Sequence, residues 1–237
     1  MLKIKHLNKT YDEKQILDNI SFSIQPNLIY GILGTNGVGK TTTLKIISGL
    51  LAPTKGEIYL NGKSQDLTSG SLLQEIGFVP DRADLYDYLT GEEYLRFVGK
   101  LYYLTDEQIN VFVENILEQF KLTDSSHQLI KNYSHGMKQK ISIASGLIHN
   151  PKVLILDEPL TGVDLISTRT IKNILRNYVK KGNIVLLSTH LLELAHSFCD
   201  KIGVIHNGSL ASEFYTSEYT LKELEKNVEN IYLENVN

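Results

Sequence analysis

Gly34-Thr35-Asn36-Gly37-Val38-Gly39-Lys40-Thr41-Thr42 is the stretch on which the reading of this chain turns. It fits G-x-x-x-x-G-K-[ST], the pattern of a phosphate-binding P-loop, whose glycines let backbone N–H groups converge on phosphate oxygens. Its flanks are the ones such a loop needs. The apolar run Leu28-Ile29-Tyr30-Gly31-Ile32-Leu33 reads as a strand before it, and Leu44, Ile46, Ile47 and Leu50 are spaced for a helix after it. A helix N-terminus adds partial positive charge at the same point. All nine residues are therefore candidate nucleotide contacts. Lys40 should reach the outer phosphates, which also makes it a catalytic candidate, and the Thr41 hydroxyl should ligand Mg²⁺. The stretch points to a bound nucleoside triphosphate.

Composition sets the frame around it. A chain of 237 residues with 42% hydrophobic and 22% charged residues can bury a sizeable globular core. A net charge of -3 argues against bulk electrostatic binding of nucleic acid. Cys199 is the sole cysteine, so no intrachain disulfide can form, which suits a reducing compartment. Met1-Leu2-Lys3-Ile4-Lys5-His6 lacks the apolar core of a signal peptide. The purest apolar runs, such as Val153-Leu154-Ile155-Leu156, are far too short to span a bilayer. A soluble, cytoplasmic chain is the expectation.

Periodicity gives the layout. Ile20-Ser21-Phe22-Ser23-Ile24 alternates with period two, and Glu57-Ile58-Tyr59-Leu60 runs into the hairpin signal Asn61-Gly62. Antiparallel strands therefore flank the P-loop strand. Residues 82–149 turn helical. Thr90-Gly91-Glu92-Glu93 and Thr105-Asp106-Glu107-Gln108 are capping-box starts for two helices. The first carries Tyr94, Leu95, Phe97, Val98 and Leu101, the second Ile109, Phe112, Val113, Ile116, Leu117 and Phe120, and their aromatics are expected in the core. After Pro151, residues 153–156 and 184–187 read as buried parallel strands joined by a helix over about residues 164–180. Ile202-Gly203-Val204-Ile205-His206 and Asn207-Gly208 give a late strand and hairpin. A charged tail beyond Thr216 has Leu221, Leu224 and Val228 at helical spacing. The fold expected is α/β: a nucleotide-binding core from residues 1–81 and 150–237 with an antiparallel β subdomain, and a helical subdomain inserted at 82–149.

Chemistry gathers at the strand ends. The strand at 153–156 ends in Asp157-Glu158-Pro159, where an open α/β sheet binds its ligand. Asp157 can hold Mg²⁺ through water, and Glu158 is then placed to orient or deprotonate a water attacking the γ-phosphate. Two acids could merely begin a solvated loop, but a P-loop in the same chain favours the catalytic reading. His190, in Ser188-Thr189-His190, ends the neighbouring strand, within reach of the γ-phosphate or that water. In Tyr133-Ser134-His135-Gly136-Met137, Ser134 can cap the next helix, and with Gly136 in the first turn it makes an anion site.

The order of P-loop, helical insertion, Ser134-x-Gly136, acidic strand end, Asp164 loop and His190 resembles the ATPase subunit of ATP-binding cassette (ABC) transporters, over about residues 4–208. A GTPase would want N-K-x-D, and the nearest match, Asn8-Lys9-Thr10-Tyr11, ends in Tyr. The resemblance implies a P-loop ATPase that uses ATP and Mg²⁺. It implies two cassettes, identical or related, closing head to tail, each ATP lying between one P-loop and the other chain's Ser134 and Gly136. It implies that Asp164, in Leu160-Thr161-Gly162-Val163-Asp164, lies in the loop communicating between the sites, that Tyr11 stacks on adenine, and that a separate membrane permease is the partner.

Two departures stand out. Asp81 occupies the position after Ile76-Gly77-Phe78-Val79-Pro80 where the family usually has a Mg²⁺-liganding Gln, and Asp could still act through water. The signature reads Ser-His-Gly-Met where Ser-Gly-Gly-Gln is commonest. Both variants resemble exporter cassettes for drugs, peptide antibiotics or lipid-like cargo. No His/Cys cluster has zinc spacing, His190 and His196 lying six apart. Two other readings stay open: a soluble cassette ATPase of cofactor assembly, and a regulatory module that binds ATP without hydrolysing it.

Overall fold

The computed structural model describes residues 1–64 and 72–233. Small parts of the expected core span (65–71) and of the charged tail (234–237) lie outside the described residues.

Two sheets organise the chain. Strands β1 (Leu2–Tyr11), β2 (Lys14–Ile24), β4 (Lys55–Leu60) and β5 (Lys63–Ser64) form an antiparallel sheet in the order β2-β1-β4-β5. A second sheet runs β10-β9-β3-β8-β7-β6, built from β3 (Ile29–Leu33), β6 (Ile76–Val79), β7 (Val153–Leu156), β8 (Ile184–Thr189), β9 (Lys201–His206) and β10 (Ser209–Tyr215). Its strands are parallel except for β10, which is joined to β9 by the Asn207-Gly208 hairpin. Both residues of each Asn-Gly turn have positive φ, +52° and +81° at Asn61-Gly62 and +47° and +77° at Asn207-Gly208. That is the backbone a two-residue turn needs to follow strand twist.

Every residue of β3, β7 and β8 is buried, because both faces of this sheet are covered. Period-two alternation then sorts their side chains into two cores. Tyr30, Ile32, Val153, Ile155, Ile184 and Leu186 pack with the antiparallel sheet and with Leu44, Ile46 and Ile47 of α1 (Lys40–Ile47). Ile29, Leu33, Leu154, Leu156, Val185 and Leu187 pack with the helical side. That side comprises α3 (Gly91–Leu101), α4 (Asp106–Gln119), α5 (His135–Leu147), α6 (Leu165–Val179), α7 (Leu192–Phe198) and α8 (Leu221–Leu233), while the one-turn α2 (Leu72–Glu75) leads into β6. No helix among the described residues is long and apolar enough to cross a membrane. Cys199 is buried against Gly31, and burial pushes its thiol up to about 12.

Both expected capping boxes form, at Thr90 with Glu93 and at Thr105 with Gln108. The aromatics of the first helix correct the expectation. Phe120 is fully buried and Tyr94 and Phe112 pack against the core edge, but Phe97 is 40% exposed, meeting Tyr86 edge-on. The reason is the stripe that α3 buries: Gly91, Leu95 and Gly99 at i, i+4, i+8. Its glycines admit Tyr133 and Ile109 so closely that a Cβ would collide with them, and Phe97 and Leu101 fall off that line. Leu50 likewise lies past the end of α1 and is exposed, since the helix stops at Ile47 before Gly49 at φ +78°.

Candidate nucleotide site

Four parallel strands end side by side, and their carboxyl ends carry the candidate residues. β3 leads into the P-loop, β6 into Asp81, β7 into Asp157 and Glu158, and β8 into His190. The register holds them level. The Asp157 N–H donates to the Val79 carbonyl at 2.9 Å and the Gly34 N–H to the Thr189 carbonyl at 3.4 Å.

The P-loop runs into α1 through Gly39 at φ +108°, where a Cβ would also lie 2.5 Å from Leu17 of β2. Only glycine meets both demands. Helices α3, α4, α5 and α6 close their first turns with the side chains of Thr90, Thr105, Ser134 and Asp164, whereas α1 has no side-chain cap and no acid in its first turn. Its first-turn amides remain open to an anion.

A cavity of about 310 Å³ lies in front of those amides, lined by Asn36, Gly37, Gly39, Lys40, Thr41 and Thr42, with Asp81, Asp157 and Glu158 opposite. Lys40 is 7% exposed and folds back along the loop, donating to the carbonyls of Gly34 at 2.8 Å and Thr35 at 3.1 Å. Its ammonium stands 3.5 Å from Glu158 Oε1.

Asp157 is 3% exposed and accepts two hydroxyl protons, from Thr41 at 2.7 Å and Ser188 at 2.6 Å. The Ser188 hydroxyl in turn accepts the Glu158 N–H at 2.9 Å. Glu158 has φ +47°, an αL conformation costing a non-glycine residue about 1–2 kcal/mol. Glu158 Oε2 accepts from His190 Nδ1–H at 3.0 Å and from the Thr161 hydroxyl at 3.1 Å. Oε1 is buried without a hydrogen-bond partner among the described residues. One carboxylate oxygen is thus clamped by two hydrogen bonds, while the other is held only by the Lys40 ammonium.

The remaining candidates stand apart from this cavity. Tyr11 ends β1, 45% exposed, with the Lys9 ammonium 4.7 Å from its ring centre. Ser134 caps α5, its hydroxyl accepting the Met137 N–H at 3.3 Å. Gly136 presses on the next loop: a Cβ there would lie 2.7 Å from Asp164 Oδ2 and 2.9 Å from Ser167 Oγ. Asp164 caps α6, and hydrogen bonds from the Ser167 backbone N–H and hydroxyl hold its carboxyl below the ordinary carboxylate range. His190 reaches the site through Glu158. Sequence reading missed two participants, Ser188 and Thr161. A lone hydroxyl carries no motif signal: the pairing of β7 with β8 brings Ser188 to Asp157, and the turn after Glu158 brings Thr161 to the Glu158 carboxylate.

An open α/β sheet with an uncapped P-loop helix, a buried lysine and paired acids at its carboxyl edge defines the class of nucleoside-triphosphate-hydrolysing P-loop proteins. A family profile described as "ABC transporter" matches residues 17–161. The linearmycin resistance ATP-binding protein LnrL of Bacillus subtilis (strain 168) is 36% identical over 210 residues, covering 89% of this chain and 68% of that protein. The probable multidrug ABC transporter ATP-binding protein YbhF of Escherichia coli (strain K12) is 33% identical over 210 residues, covering 89% and 36%. A solved ATP-binding subunit of an ABC transporter superposes with TM-score 0.87 at 28% identity, over 97% of this chain and 99% of that one. A dimeric ATP-binding cassette in a post-hydrolysis state with ADP and Pi gives 0.81 at 26% identity, over 91% and 99%. The chain belongs to the ABC transporter family, as an ATP-binding subunit with ATPase activity.

Proposed function

We propose that this chain is the ATPase of an exporter, working from the cytoplasmic face on a separate membrane-spanning permease and closing head to tail with a second cassette. The observation that carries the reading is the half-built cavity. It offers open helix amides, one lysine and a carboxylate oxygen paired only with that lysine, and among the described residues its lining supplies no further cation or helix N-terminus to face a γ-phosphate. Ser134 and Gly136, the other anion-site residues, lie outside its lining. A second chain's α5 N-terminus would complete it. The resistance and multidrug names of two relatives favour export of a drug-like or antibiotic molecule.

The chemistry follows from the side chains. The nucleotide's phosphates meet the amides of residues 36–42, and Lys40 exchanges the carbonyls of Gly34 and Thr35 for phosphate oxygens. Glu158 Oε1 orients the attacking water and accepts its proton while Oε2 stays held by His190 and Thr161. A bond forms from water oxygen to Pγ, the bond from Pγ to the β–γ bridging oxygen breaks, and ADP and phosphate leave. Thr41, Asp157 and Asp81 are hard oxygen donors around one cavity, a set that suits Mg²⁺. Bound there, Mg²⁺ would offset charge on the β- and γ-phosphate oxygens. Dimer closure drives the permease and product release reopens it.

The inserted helices, residues 82–149, would form the docking subdomain with Asp81 at its base. The exposed Tyr86 and Phe97, in edge-on contact, support this side as the one a partner covers. The test is affinity purification of the tagged chain from its own membranes in mild detergent. A stoichiometric multi-span membrane protein is expected, and a wholly soluble partner would overturn the transport reading while leaving the ATPase intact. Tyr11 offers a separate check on the base. Tyr11→Ala should weaken ATP binding about 5- to 100-fold and Tyr11→Phe hardly at all, since stacking uses the ring face. Equal affinity of Tyr11→Ala and the parent by calorimetry would remove it from the site.

A further inference from the structure

Position 135 carries a side chain where the commonest form of the signature has glycine, and that side chain makes a contact glycine cannot. His135 Nε2–H donates to the Thr161 carbonyl at 3.2 Å. Its ring also lies over the next residue, where a Cβ on Gly162 (φ +72°) would be 3.6 Å from it. The Thr161 hydroxyl donates to Glu158 Oε2. One residue thus faces the signature turn with its carbonyl and the catalytic carboxylate with its hydroxyl. Gly136, pressed on Asp164 and Ser167, supports the same loop one residue further on.

We propose that His135 is a positioning residue, which ties the signature turn to Glu158 through Thr161. This rests on the reading of Glu158 as the carboxylate that works on the attacking water. The signature turn of this chain serves the nucleotide held by the second cassette, whereas Glu158 serves the nucleotide held by its own P-loop. Through His135 and Thr161, a shift of the signature turn on meeting the neighbouring nucleotide reaches the oxygen that fixes the Glu158 side chain. The link is one hydrogen bond at each step, so it tunes hydrolysis rather than enabling it.

The experiment is a mutant cycle on ATP hydrolysis by the full chain. His135→Ala should lower kcat about three- to tenfold, the weight of one hydrogen bond, with KM within about twofold. His135→Gln, which can still donate to the Thr161 carbonyl, should recover most of the rate. Thr161→Val keeps that carbonyl but removes the hydroxyl, and should lower kcat comparably. In the double variant the losses should not multiply, because without the hydroxyl His135 has nothing to act through. Losses that multiply, an unchanged kcat in His135→Ala, or a raised KM with kcat intact would each overturn the proposal, the last by marking a direct nucleotide contact. His135 is exposed, so melting temperature should hold in every His135 variant. A fall in both melting temperature and kcat that Gln does not rescue would mean a structural role only. Glu158→Gln run alongside separates the two readings. Full turnover by that variant would remove Glu158 from catalysis, whereas an inactive Glu158→Gln beside a wild-type His135→Ala would remove only the link.

Discussion

Glu158→Gln is expected to bind ATP as tightly as the parent, to hydrolyse it about 10²–10³-fold more slowly, and to accumulate as an ATP-bound dimer. The substitution preserves shape. The Gln amide oxygen can take the place of Oε2, accepting from His190 Nδ1–H and the Thr161 hydroxyl. The amide nitrogen then falls where Oε1 stands, 3.5 Å from the Lys40 ammonium and without a hydrogen-bond partner among the described residues. A carboxylate oxygen there can accept a proton from water, and an amide nitrogen cannot. The groups proposed to hold the phosphates (the α1 amides, Lys40 and Thr41) are untouched, and one negative charge is removed from beside them. Binding should therefore survive while the chemical step stalls. Single-turnover phosphate release and size-exclusion chromatography with ATP would read the two effects together. Turnover within about threefold of the parent would show that Glu158 supplies no proton acceptor.

Lys40→Ala should act on binding instead, weakening ATP about 10²-fold or more, as expected when a buried charge partner is truncated. Lys40 is the only Lys or Arg lining the cavity among the described residues, and at 7% exposure little water can replace it. Its loss also leaves the Glu158 carboxylate without the nearby cation, so a triphosphate would enter a cavity whose charged side chains are all acidic. Lys40→Arg should not rescue binding. The ammonium donates to two carbonyls in the curve of the loop, and a planar guanidinium is wider and fixes its donors in a fork. Calorimetric titration with ATP would measure both variants, and an affinity for Lys40→Ala within about threefold of the parent would contradict its role.

Much of this site was legible before any coordinates. Glycines at 34, 37 and 39, the acid pair ending an apolar strand and the Ser134 cap are local patterns, each set by sterics or hydrogen bonding within a few residues. What escaped reading depended on the path of the backbone rather than on a residue pattern. Ser188 and Thr161 carry no motif, yet each hydroxyl bonds a candidate carboxylate, one across neighbouring strands and one across a turn. The positive φ of Glu158 was equally invisible, since Glu has no preference for that region and is held there by the Ser188 hydroxyl on its N–H. Phe97 was misjudged for the converse reason. Helical spacing says that α3 has an apolar face, but the close approach of Tyr133 and Ile109 at Gly91 and Gly99 chose which stripe was buried.

By itself, then, the sequence determined the class of ligand, the α/β layout and the turns and caps that punctuate it. These depend on chain stiffness, side-chain alternation and short-range hydrogen bonds, which act wherever the residues stand. Only the tertiary structure decided that β3, β6, β7 and β8 end level, so that Lys40, Asp81, Asp157 and Glu158 share one cavity while Ser134 and Gly136 face elsewhere. That outcome depends on strand order and register, which arise from burying both faces of the central sheet at once, and no single stretch of chain encodes it.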